Sequence, residues 1–175
     1  FQQYSHHGTL AILNGGELNL TGNLLLNGDA KNPTSSGHSA TLFVSNGIYS
    51  SPHVPNIGSS SIHAGSNGVV RIMGKKSRFN ITGDDTIHLL FANSPNCMYE
   101  LIDAVWTNLN ASVHYNAQGG VGNHSVILRD NSEYYSTNSF AIANRNYNST
   151  NNTLQVLSGS RLFAGKEIYT SSTDN

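Results

Sequence analysis

Charge is scarce in this 175-residue chain: Asp, Glu, Lys and Arg make up 11% of it, less than half the usual quarter of a globular domain. Nine Lys and Arg nearly balance ten carboxylates, for a net charge of −1 with His neutral. Without a Lys/Arg run to build a basic face, neither nucleic acid nor an anionic membrane is an expected partner. Cys97 is the only cysteine, which excludes an intrachain disulfide and a four-Cys zinc site. No apolar run approaches the ~18 residues of a membrane-spanning helix, so membrane insertion of this segment is not expected either. Phe1 opens the chain without a signal peptide and Asn175 ends it without a closing element, as expected of a processed product or a piece of something longer.

Asn, Ser, Thr and Gly stand where charge would otherwise be, and they favour turns. The stretch TLAILNGGELNLTG (9–22) is answered near the other end by TLQVLSGSRLFAG (153–165). Both alternate apolar residues, break at a Gly-containing turn and resume. Equal steps towards the N-terminus from TLQV at 153 land on SVIL at 125, CMYE at 97, VVRI at 69 and TLFV at 41. One longer step, absorbing the turn-rich KNPTSSGHS (31–39), reaches TLAI at 9. The second position of every unit is apolar: Leu10, Leu42, Val70, Met98, Val126 and Leu154. At the fourth position only Glu100 breaks the rule, and a one-residue shift that substitutes Tyr99 and Leu101 restores it. A turn follows at Asn14-Gly15, Asn46-Gly47, Gly74, Asp130-Asn131 and Ser158-Gly159, all residue types that accept φ > 0 or cap their own backbone.

The apolar runs are short and alternating, which is the strand period. A unit of short strands cannot bury its inward side chains alone, but stacked units share one core, with strands ~4.8 Å apart. The expected fold is therefore all-β: a single-stranded parallel β-helix, or β-solenoid, of about six coils with a ~28-residue repeat. Residues 1–8 form an N-terminal extension and 9–172 the β-helix domain. Coils start near 9, 41, 69, 97, 125 and 153, and 173–175 form a truncated end. A β-sandwich is the alternative, but it does not require one phase to be apolar in every unit. Residues 97–116, with Trp106 and the run MYELIDAV, are the least typical coil, and whether they form a coil, a short helix or a lateral excursion stays open at this point.

With this repeat, the chain resembles the right-handed parallel β-helix proteins. GGELNLTGNLLLNG (15–28) and LQVLSGSRLFAGKEIYTSS (154–172) are most similar to bacterial autotransporter passenger domains, with bacteriophage tailspike and fibre β-helices second. The resemblance covers 9–172 and specifies coils, not an activity. It implies a secreted or surface-exposed location, on a bacterial outer surface or a virion tail. An adhesin or stalk segment that binds a cell-surface glycan or protein is the first expectation. A polysaccharide-cleaving tailspike is the alternative. Self-association, end to end or as a homotrimer, is expected of a β-helix whose open ends leave unpaired strand edges.

Were the chain an enzyme, Asp103, Asp130 and Glu133 would be its catalytic residues. Asp103 and Asp130 are almost one repeat apart, so they stack on adjacent coils near the ~5 Å carboxylate separation of a retaining glycosidase. Lys75 lies one repeat before Asp103 and Arg161 one repeat after Glu133, which favours structural charge pairs over catalysis. Gly83-Asp84-Asp85 is similar to an element of polygalacturonases, but the companion motifs are missing, and Gly-Asp-Asp is a common turn. The eight His residues make no HxH or HExxH, and neither a metal nor another cofactor is expected. The ligand-binding candidates are Tyr134, Tyr135, Asn144, Asn146 and Tyr147, from the loops 131–140 and 144–152. Aromatic rings stack on the apolar faces of sugars, and amides bond their hydroxyls. Tyr134 and Tyr135 are consecutive, so one of them must face outward. Tyr135 and Phe163 share a phase, with Phe79 in line two coils earlier, and such ladders are most often interior packing.

Overall fold

The computed structural model describes residues 7–22, 24, 39–52, 67–83, 87–88, 96–108, 113–114, 123–141 and 151–169. They build an all-β parallel solenoid with three faces and no helix among the described residues. Face one is a six-stranded sheet of β1 (His7–Leu13), β3 (Ser39–Ser45), β5 (Val69–Met73), β8 (Met98–Ile102), β11 (Ser125–Arg129) and β14 (Thr153–Val156). Face two stacks β2 (Glu17–Asn19), β4 (Ile48–Ser51), β6 (Arg78–Ile81), β9 (Val105–Asn108), β12 (Glu133–Ser136) and β15 (Arg161–Ala164). Face three is a shorter ladder of β7 (Ile87–His88), β10 (Val113–His114), β13 (Phe140–Ala141) and β16 (Ile168–Tyr169). Every pairing among the described strands is parallel. Thr41 pairs with Val69 and Ser125 with Thr153, each partner standing one regular repeat further along the chain.

Register departs from the regular repeat in the middle of the rod. Val70 faces Tyr99 and Ile72 faces Leu101, one position late, and Tyr99 then faces Val126, one position early. Tyr99 and Leu101 are therefore the inward pair of this unit, and Glu100 between them points outward. Residues 98–102 and 105–108 are strands, so of the readings left open for 97–116 the short helix does not hold there; residues 109–112 and 115–116 lie outside the described residues. These two strands follow the coil pattern with a slip of one residue, because a strand keeps its apolar residues inside at the cost of loop length.

Inward residues from the first two faces close the core. Leu42, Val70, Tyr99, Val126 and Val44, Ile72, Leu101, Leu128 form two buried columns on face one. Face two contributes Tyr49, Phe79, Trp106 and Tyr134, all fully buried. Their rings run as a continuous ladder: Tyr49–Phe79 stacked at 5.0 Å, Phe79–Trp106 edge-on at 5.2 Å and Trp106–Tyr134 edge-on at 4.9 Å. Tyr99 stacks on Trp106 across the core at 5.6 Å. Such pairs add to the apolar area they bury.

The corners explain the composition. Among the described residues ten that are not Gly have φ between 49° and 62°, and seven of them are Asn. Asn tolerates the left-handed region because its short amide bonds locally. Asn67, Asn96, Asn123 and Asn151 lead into face one on successive coils, and Asn96 Nδ2 donates to Asn67 Oδ1 at 3.2 Å. Asn14, Asn46, Asp103, Asp130 and Ser158 turn the chain out of it. Seven of the twelve described Asn thus occupy corner positions that coil geometry favours.

Candidate functional site

Asp103 and Asp130 do stack, as their spacing implied: Asp103 N donates to Arg129 O at 3.2 Å, just before Asp130. Both have left-handed φ, 51° and 57°, so both serve as corner residues. Asp130 Oδ2 receives Arg129 Nη1 at 2.9 Å. Glu133 faces Arg161 in register, with 3.9 Å between Oε1 and Nη1, the pairing the repeat anticipated. Lys75 is not the partner of Asp103: among the described residues Asp103 enters no ion pair.

The main charge cluster involves a residue that in the sequence is only a break in the apolar pattern. Glu100 faces Arg71 directly across β8 and β5, and Arg71 Nε donates to Oε2 at 2.6 Å. Arg129 Nε donates to Oε1 at 2.9 Å from the other side. Glu100 is only 7% exposed although it points outward, because the two Arg side chains lie over it. Burial alone would raise its pKa; the hydrogen bonds and charges of Arg129 and Arg71 outweigh that and hold it below the usual carboxylate value. The one-residue shift onto Tyr99 and Leu101 already turns Glu100 outward, and the further signal was Arg71 and Arg129 standing at equal distances on either side of it.

Of the recognition candidates, Tyr134 is corrected outright. It is fully buried in the core ladder. Phe79 shares its column, not that of Tyr135, because Phe79 faces Trp106 and Trp106 faces Tyr134. Tyr135 takes the outward position at 37% exposure. Its hydroxyl donates to Glu133 Oε2 at 2.8 Å. Phe163, 44% exposed, lies on the next strand with its ring parallel to Tyr135 within 3° and centroids 4.7 Å apart. This pair is therefore an outward ladder, not interior packing. Each ring covers one face of the other, so ring edges are what the pair chiefly offers a ligand. Asn144, Asn146 and Tyr147 lie outside the described residues.

The same outward column continues below Tyr135 as a polar row. Thr107 Oγ1 donates to Asn80 Oδ1 at 2.7 Å, and Asn80 Nδ2 donates to Ser50 Oγ at 3.3 Å. Ser50, Asn80 and Thr107 are half-buried and in register, so face two presents donors and acceptors at each strand spacing of ~4.8 Å.

Two inward groups near the leading corner are titratable. His124 is fully buried; its Nδ1 accepts from Cys97 N at 3.4 Å, and its Nε2 has no partner among the described residues. Burial lowers its pKa to about 4. Burial likewise raises the Cys97 thiol to about 11, which leaves no nucleophilic thiolate near neutral pH.

No family model matches this chain, and no match emerges among curated proteins or solved structures.

Proposed function

We propose that this chain is a secreted or surface-exposed adhesin or stalk segment that binds a cell-surface glycan or protein without cleaving it. The observation that carries the reading is the outward row of face two, where Ser50, Asn80 and Thr107 give way to Tyr135 and Phe163 on one continuous sheet. Hydroxyls and amides fixed at regular spacing suit a polyhydroxylated ligand. Rigidity comes from the shared core, so ordering the site costs little on binding. Tyr135 is the one sequence-derived contact kept among the described residues. Asn144, Asn146 and Tyr147 stay in the proposal on sequence grounds.

The finer kinship, a β-helix of about six coils akin to autotransporter passenger domains, belongs to the same proposal. The six strands of each long sheet support that count, and low charge with a single Cys suits the kinship. Self-association through exposed strand edges accompanies it. The tailspike alternative needs a free acid pair. Against it stands the tie of Asp130 to Arg129 and of Glu133 to Arg161.

A glycan-array screen run beside a reducing-end release assay on the same bacterial polysaccharides decides between the two. Binding without release, weakened in Tyr135→Ala, supports the adhesin. Release abolished by Asp103→Asn or Asp130→Asn overturns it in favour of a depolymerase.

A further inference from the structure

The structure partners its cations unevenly. Arg71 and Arg129 share Glu100, and Arg161 meets Glu133. Lys75, Lys76 and Arg78 meet no carboxylate among the described residues, although they crowd into four consecutive positions. Arg78 points outward on β6 between Ile48 and Val105, so neither neighbouring strand brings an acid to it. Its Nη1 donates to the carbonyls of Lys75 at 3.0 Å and Ser77 at 2.9 Å, which pins the guanidinium beside the corner.

That corner is longer than its neighbours. Residues 74–77 join β5 to β6, whereas residues 46–47 and 103–104 suffice on the coils either side. Lys75 and Lys76 are the central pair of a turn closed by Ser77 N donating to Gly74 O at 2.7 Å, and Lys76 is exposed at its tip. Among the described residues, Asp103 is the one carboxylate that stacks against this corner, through Gly74 N donating to Ile102 O at 2.8 Å. Three cations against one acid leave the spot positive on a chain whose net charge is −1. Asn80, in the polar row, lies two residues beyond Arg78, ~7 Å along the strand.

Resting on the reading of face two as a glycan-binding surface, we propose that its ligand is an anionic polysaccharide. Carboxylate or sulfate groups would sit against Lys75, Lys76 and Arg78, and neighbouring sugar hydroxyls would bond Asn80, Thr107 and Ser50. The turn supplies charge, and the sheet supplies the hydrogen bonds that a bare polyanion would not use. Carboxylates and sulfates are both accepted by cations of this kind.

The full chain is titrated with alginate, dextran sulfate, neutral dextran and single-stranded DNA, at low and high salt. Alginate or dextran sulfate is expected to bind, with affinity falling as salt rises; which of the two binds identifies the acid. Lys75→Gln/Lys76→Gln is expected to weaken binding at least tenfold with an unchanged melting temperature. Thr107→Val is expected to weaken it several-fold, and Lys166→Gln to leave it unchanged. Equal binding of neutral dextran, or indifference to Lys75→Gln/Lys76→Gln, overturns the anionic site but leaves a glycan-binding function standing. DNA bound as tightly as the polysaccharide, or no effect of Thr107→Val, shows a bare charge patch and also overturns it. No polysaccharide bound in any arm, with the glycan array equally blank, removes the glycan reading as well.

Discussion

Glu100 and Arg71 oppose each other across adjacent parallel strands with 2.6 Å between Oε2 and Nε, and Arg129 closes on the same carboxylate from the next coil. One acid thus ties three coils together on the outside of face one. Glu100→Gln is expected to cost about 1.5–3 kcal/mol, the range for hydrogen bonds to charged groups, measured by urea unfolding at pH 7. Because the folded carboxyl is held below its usual value, its contribution is present above about pH 4.3 and fades as pH falls through the folded pKa. The variant and the parent should therefore converge in acid. A gap that persists at pH 2 would mean that shape, not charge, is responsible.

His124 has the opposite linkage to a salt-bridged histidine. Its folded pKa of about 4 lies below the ordinary 6.5, so the unfolded chain binds the extra proton first. Stability is fully present above about pH 6.5 and is lost as pH falls toward 4, by roughly 3 kcal/mol in all at about 1.36 kcal/mol per pKa unit. His124→Asn, which places there the residue type found at Asn152 one coil on, should flatten this slope. Melting temperatures of both proteins across pH 4–7 provide the check, and parallel curves would rule His124 out.

Tyr134 and Tyr135 are neighbours in sequence with opposite roles. Tyr134→Ala removes a rung of the core ladder and is expected to cost about 3–5 kcal/mol, as for other buried aromatics. Tyr135→Ala should stay within about 1 kcal/mol, since only its stacking on Phe163 and one hydrogen bond are lost. Chemical denaturation of the two variants, side by side, tests the register directly.

Gly74 is a corner position where a side chain is poorly tolerated. Its φ is +95°, and a Cβ there would meet Asn46 Oδ1 at 2.5 Å. Gly74→Ala is expected to destabilise by about 1–2 kcal/mol from backbone conformation alone. Gly22→Ala, with nothing within 4 Å, should be nearly neutral. Thermal unfolding of the pair separates conformational need from chance composition.

Much of this protein is determined by sequence alone, because stacking forces the same phase to be apolar in every unit. Leu42, Val70, Val126 and the Asn46, Asp130 and Ser158 corners can be read off a fixed step along the chain without coordinates. The Glu133–Arg161 pair follows from the same arithmetic. The break at Glu100 already pointed to a one-residue shift onto Tyr99 and Leu101, and strand geometry turns a slip of one into a change of face, leaving Glu100 outward. What a fixed step could not supply was the length of each corner: four residues at 74–77 against two at 103–104, together with that shift, set Phe79 opposite Trp106 and so in the column of Tyr134, not of Tyr135. Sequence spacing anticipated Glu133–Arg161 but equally paired Lys75 with Asp103, which enters no ion pair among the described residues. Only the folded stack, by setting Ile48 and Val105 on either side of Arg78, decided that Lys75, Lys76 and Arg78 meet no acid among the described residues.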